Sequence, residues 1–198
     1  MTSNHLWRIA SAMLVTSALA LNGGRAFGVD TPYAGQQNRS IKSLSDQDVG
    51  ALLAGQGAGL AKAAELNGYP GPSHVLELAT ALHLSASQLR ATQELRDQHR
   101  ERARKLGSEL VDAEAELDQL FQHKHAAPDV VDRATEKIAL LQARLRAEHL
   151  KAHLTQAALL DPQQTRLYQS LRGYGDPESA KDIPVPAHQH QDASGRQP

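Results

Sequence analysis

His149 and His153 stand four residues apart, the spacing that puts two imidazoles on one face of a helix. Neutral imidazole is a good ligand for zinc, copper, nickel and cobalt, and two rings within reach of further donors make a metal site. His99, His74 and Glu65 are the further donors that this sequence offers. The chain holds 10 histidines and no cysteine. Any site is therefore built from imidazole and carboxylate, and that donor set does not choose between the four metals. The alternative is that these histidines are solvated polar residues of a thin helical protein. His123-x-His125 and His188-x-His190 are weaker pairs, suited to adventitious zinc or copper. Enzyme chemistry finds little support. There is no cysteine nucleophile, no Gly-x-Ser-x-Gly elbow and no phosphate loop, and Ser73-His74 and Asp97-x-His99 lack an orienting third group. The expectation is a protein that is not an enzyme and requires no cofactor, with zinc or another divalent transition metal as the candidate ligand.

The elements that must position these rings follow from composition and spacing. Aromatic residues make up 4% of the 198 residues, while Ala, Leu, Gln, Glu and Arg are abundant, which favours helix and starves a sheet. The expected class is all-α. Lys+Arg 21 against Asp+Glu 22 leaves a net charge of -1, so nothing argues for nucleic acid or an anionic membrane as partner. Ser45 with Asp48 opens a short helix carrying Leu52, Leu53, Leu60 and Leu66, weakened by four glycines. Asn67 to Pro72 breaks the chain, and His74 to Leu82 reads as a second short helix. Ser85 with Gln88 starts a long helix at Ala86 that lasts until His123. Leu106, Leu110, Ala113, Leu117 and Leu120 form its heptad seam, and backward extension through Ala103 brings His99 onto it. A second long helix runs from near Asp129 to about Leu160, with Val131, Ala134, Ile138, Leu141 and Leu145 as its seam. Asp161-Pro162-Gln163-Gln164 then restarts a short helix that ends near Arg172, with Gly173 after it.

A turn near residue 124 folds the two long helices into an antiparallel hairpin. That register sets His99 opposite His149. It also sets the acidic run from Glu109 to Asp118 against Arg133 and Lys137, and the basic run from Arg96 to Lys105 near Glu148. Such rim pairs add only ~0–1 kcal/mol each, but they favour one register.

The ends of the chain read differently. His5 and Arg8, an apolar run from Ile9 to Leu21 and the small-x-small Ala18-Leu19-Ala20 predict a signal peptide over 1–20, with cleavage as late as 28. The expected compartment is the periplasm, with no membrane span after cleavage. Residues 29–72 are read as an N-terminal arm with a short helix, 73–175 as the helical domain, and 176–198, rich in Pro, Gln, His and Gly, as a disordered tail.

Leu84-Ser85-Ala86-Ser87-Gln88 and Leu160-Asp161-Pro162-Gln163-Gln164 are two copies of one pattern: leucine, capping residue, two variable residues, glutamine. In this the chain resembles the Spy/CpxP family, whose members carry two Leu-Thr-x-x-Gln motifs in corresponding places. The resemblance covers roughly Ser73 to Gly173, and Ser85 and Asp161 stand where the family has threonine. Both cap helices well, so Leu84, Ser85, Gln88, Leu160, Asp161 and Gln164 are expected to be architectural. The resemblance implies a homodimer of bent hairpins forming a cradle. It also implies an ATP-independent periplasmic chaperone or envelope-stress protein that binds unfolded or misfolded envelope proteins, or acts on a membrane stress sensor. Related members are heavy-metal sensors and resistance proteins, which is the alternative function.

Overall fold

The computed structural model describes residues 32–175, and the expected signal peptide and tail lie outside them. From Gly35 onward the described residues form one unit. After a 3-10 turn at Gln36–Asn38 come six helices: α1 (Asp46–Leu53), α2 (Lys62–Glu65), α3 (Pro72–Glu77), α4 (Ala86–Gln122), α5 (Pro128–Leu159) and α6 (Pro162–Leu171). No strand occurs among the described residues. No helix among them is long and apolar enough to cross a membrane.

Capping chemistry sets three of the helix starts. Ser45, Ser85 and Asp161 each accept from the backbone N–H three residues on. The side chains at those third positions, Asp48, Gln88 and Gln164, accept from the N–H of the cap in return. Such reciprocal boxes satisfy N–H groups that a helix start otherwise leaves open. The second long helix begins at Pro128, one residue before the expected Asp129, because proline at the first position needs no partner for a missing N–H.

α4 and α5 lie antiparallel. Ala103, Leu110 and Ala113 meet Ile138, Leu141 and Leu145 in one buried cluster, joined at its edge by Leu106 and Leu117. Full burial of a leucine or isoleucine contributes about 1.5–3 kcal/mol, so this seam is the main source of hairpin stability. Lys137 reaches Glu116 at 2.6 Å, and Arg102 pairs with Glu148. Arg133 does not cross to α4: it pairs with Asp129 one turn back on its own helix, at 2.9 Å. At the turn His123 caps the end of α4, and Lys124 takes a left-handed φ of 59°.

The N-terminal segment packs on this hairpin. Leu52 and Leu60 lean on the α4–α5 cluster, and Ile41 is buried. Contact at Gly107 is close enough that a Cβ there would lie 2.2 Å from the Leu52 carbonyl oxygen. The helix expected to carry Leu52 through Leu66 is interrupted. α1 stops at Leu53, and Gly55 and Gly59 take φ of 67° and 84°, which glycine adopts freely. The second short helix is displaced toward the N-terminus, from the expected His74–Leu82 to Pro72–Glu77. Pro72 starts it early, and His83 turns left-handed before Leu84. Val75, Leu82, Leu160 and Tyr168 form a separate small core where α3 and α6 meet the open end of the hairpin.

That open end is closed by the two motif copies. Gln88 Nε2 donates to the Leu159 carbonyl at 2.9 Å and to Gln164 Oε1 at 2.8 Å. Gln164 Nε2 donates to the Leu82 carbonyl at 3.2 Å and to Gln88 Oε1 at 3.1 Å. Each amide thus serves its own capping box and its counterpart in the other motif.

Gly107→Ala drives a methyl into backbone and is expected to cost about 2–4 kcal/mol in denaturant unfolding. Gly50→Ala, in α1 with open space around it, is expected to stabilise by ~0.5–1 kcal/mol; equal effects of the two changes would refute the close approach. Gln164→Ala leaves the Leu82 carbonyl and the Gln88 amide short of partners and should cost about 2–3 kcal/mol by the same measurement.

Candidate functional site

The hairpin is polar where it approaches its open end. One helical turn beyond Leu145, the α5 seam continues through His149, Ala152 and Gln156. On the facing stretch of α4 stand His99 and Thr92, with Gln156 Nε2 donating to Thr92 Oγ1 at 3.2 Å. Beside these residues the loop 54–59 and helices α2 and α3 leave a cavity of about 650 Å³. His74, His99, His149, His153 and Glu65 all line it, as do Arg96, Arg100 and Lys62. The spaced pair His149 and His153, His99 from the facing seam and His74 from the N-terminal segment are therefore brought to one place. His123 and His125 are not: they sit at the hairpin turn, ring centroids 6.1 Å apart.

His149 is the most enclosed of the four, at 4% exposure, and its ring meets that of His99 edge to face at 4.6 Å. Burial penalises a charged ring there, and the neighbouring His99 and His153 reinforce the effect, so its pKa falls from 6.5 to about 4. Burial also lowers the pKa of His99, against the attraction of Glu148, whose Oε1 lies 3.8 Å from His99 Nδ1. Two imidazole nitrogens, His99 Nδ1 and His149 Nε2, are buried without a hydrogen-bond partner. Space around the rings is kept by glycines. A Cβ on Gly71 would lie 3.0 Å from His153 Nε2, and one on Gly57 would lie 3.4 Å from His149 Nδ1.

Glu65 organises the other wall. It is 8% exposed and accepts from Tyr168 Oη and, at 3.2 Å, from the Gly71 N–H. His74 Nδ1 stands 3.4 Å from one of its oxygens, His153 Nδ1 3.5 Å from the other, and Arg172 Nε 3.7 Å away. His153 Nδ1 is also 2.7 Å from the Tyr69 carbonyl, which fixes that ring's orientation. Burial and the adjacent Glu65 carboxylate hold the Tyr168 phenol protonated far above its usual range. Tyr168 and Arg172 are partners that sequence reasoning missed. Tyr168 is 103 residues from Glu65, and no spacing rule connects them.

As the side chains stand, no group of three or more His, Asp or Glu among the described residues is arranged to hold a metal ion. The donor chemistry, the two unpartnered nitrogens and the room left by Gly57 and Gly71 nevertheless suit one, because an unsatisfied buried polar atom is where an ion or a water belongs. Comparison of the chain with protein-family models, with curated proteins and with solved structures finds no match.

The depressed pKa of His149 has a measurable consequence. Its folded value lies below the unfolded one, so the unfolded chain takes up the proton first as pH falls. The stability it contributes is complete above pH 6.5, is lost between 6.5 and about 4, and changes no further below that. The loss is at most about 3 kcal/mol. Unfolding midpoints measured across this window should fall, and His149→Gln should flatten the slope; an unchanged slope in the variant would rule out the buried neutral ring.

Proposed function

We propose that this chain binds a divalent transition-metal ion in its histidine pocket, on a helical-hairpin scaffold that resembles the Spy/CpxP family. The observation that carries the reading is His149, a neutral ring in the cavity wall whose Nε2 is buried without a partner. His149, His153 and His99 are the residues that would hold the ion, with His74 and Glu65 in reach from the N-terminal segment. A bound ion would accept lone pairs from His149 and His99, whose rings burial holds toward the neutral form, without first displacing protons from them. The donors come from α2, α3, α4 and α5, so loading would tie the N-terminal segment to the hairpin. Such coupling suits a periplasmic metal sensor or resistance protein. Calorimetric titration of the purified chain with zinc, nickel, cobalt and copper should show uptake that weakens about tenfold or more in His149→Ala and in His153→Ala. Uptake indifferent to both changes would sink the proposal.

A second reading, the ATP-independent chaperone, is favoured by a different observation. Large apolar side chains stand in solvent on several of the described elements, among them Leu53 at 44%, Leu66 at 59% and Phe121 at 54%. Scattered among charges, and gathered in a homodimeric cradle, such groups would hold non-native envelope proteins weakly and release them. Suppression of aggregation of a denatured client by the chain in chelator supports this reading; failure to suppress removes it.

A further inference from the structure

α5 carries a second heptad seam that does not pack on α4. Leu140, Ala143, Ala147, Leu150, Leu154 and Ala157 step by three and four residues along the helix. Leu140, Ala143, Ala147 and Leu154 lie two positions beyond the buried Ile138, Leu141, Leu145 and Ala152, and two residues rotate a helix by about 200°. The second seam therefore faces away from α4. Leu140 is 51% exposed and Leu154 55%, Ala143 is exposed, and Ala147, Leu150 and Ala157 are half-buried.

The charges beside this seam are of one sign. Arg144 and Lys151 flank one edge and Arg146 the other, all exposed, and none of the three makes an ion pair among the described residues. Glu148 is turned away toward Arg102 and His99 on α4. A second copy docked seam to seam would set Arg144 near Lys151 if antiparallel, and Arg146 near Lys151 if parallel. Like charges at such flanking positions disfavour pairing. The narrow seam, with alanine at three of its six positions and no aromatic residue, suits close approach of another helix better than insertion into a lipid surface, where wider faces with Trp or Phe prevail.

We propose that the outer face of α5 docks an amphipathic helix of another protein whose apolar heptad stripe is flanked by Asp or Glu. Helix-in-groove recognition supplies the contact, and the three cations left unpaired among the described residues supply register and selectivity. This inference rests neither on metal in the histidine pocket nor on chaperone activity.

The test uses the full chain and labelled peptides of about three heptads with leucine at the seam positions and either Glu or Lys at the flanks. Fluorescence anisotropy should show the Glu peptide binding at least about tenfold tighter than the Lys peptide, with affinity falling as salt rises. The double variant Leu140→Gln, Leu154→Gln alters only exposed positions. It should keep the thermal midpoint and lose about tenfold in affinity for the Glu peptide. Equal binding of the two peptides, or binding of neither, overturns the proposal. It is equally overturned if the double variant abolishes self-association in sedimentation, or abolishes binding to anionic phosphatidylglycerol vesicles, because the face would then serve a second copy or a lipid surface.

Discussion

A carboxylate taken out of water must be surrounded by donors or it destabilises the fold that buries it. Glu65 is that carboxylate here, and its partners come from four places in the chain: Gly71 at the head of α3, His74 within it, His153 on α5, and Tyr168 and Arg172 at the end of α6. No two of these elements can shift independently without leaving an oxygen short of a donor. α2 is only four residues long and has no intrinsic stability as a helix, so this cluster, rather than helix propensity, holds it in place. The cavity is the space left between a loop that must pass over α4 and a carboxylate that must sit beside α6. Its shape follows from satisfying Glu65.

The same requirement governs the open end of the hairpin. Two glutamine side chains there face each other, and each amide is used twice or more: for its own helix start, for a carbonyl at the end of another segment, and for the other glutamine. An apolar pair at these positions would bury comparable area, but it would leave the Leu82 and Leu159 carbonyls without the donors they have now. The repeated motif is thus one structural joint made from two sequence-distant halves.

Much of this was legible in the sequence, for identifiable reasons. Helix starts at Ala86 and Pro162 are written in local capping chemistry, and the heptad from Ala103 to Leu117 names the buried face without any knowledge of the partner. The antiparallel register then places His99 against His149 because both belong to periodic seams. What could not be read depends on contacts without a period. The break at Gly55–Gly59 turns on left-handed backbone at the loop, and the close approach of α1 depends on Gly107 meeting a carbonyl rather than a side chain. Glycine within a helix pattern signals weakness or proximity alike, and only the fold decides which. Tyr168 and Arg172 likewise have no local signature, since their partner lies on a segment whose position depends on them.

The hairpin is divided along its length in a way that bears on what the histidines are for. From the turn inward, the facing positions of α4 and α5 are Leu110, Ala113, Ile138, Leu141 and Leu145; farther on they become His99, His149, Thr92 and Gln156. Leucine in place of His149 would add apolar burial, leave no unpartnered nitrogen and continue the seam without interruption. The sequence instead places neutral imidazoles and amides between α4 and α5 in the half of the hairpin nearest the cavity, and keeps the aliphatic cluster shared by these two helices in the other half. Local departures from the best-packing choice are expected where a fold keeps a site. Here the departure is confined to one end, adjoins the cavity wall built on the buried carboxylate of Glu65, and leaves intact the apolar half whose stability tolerates it.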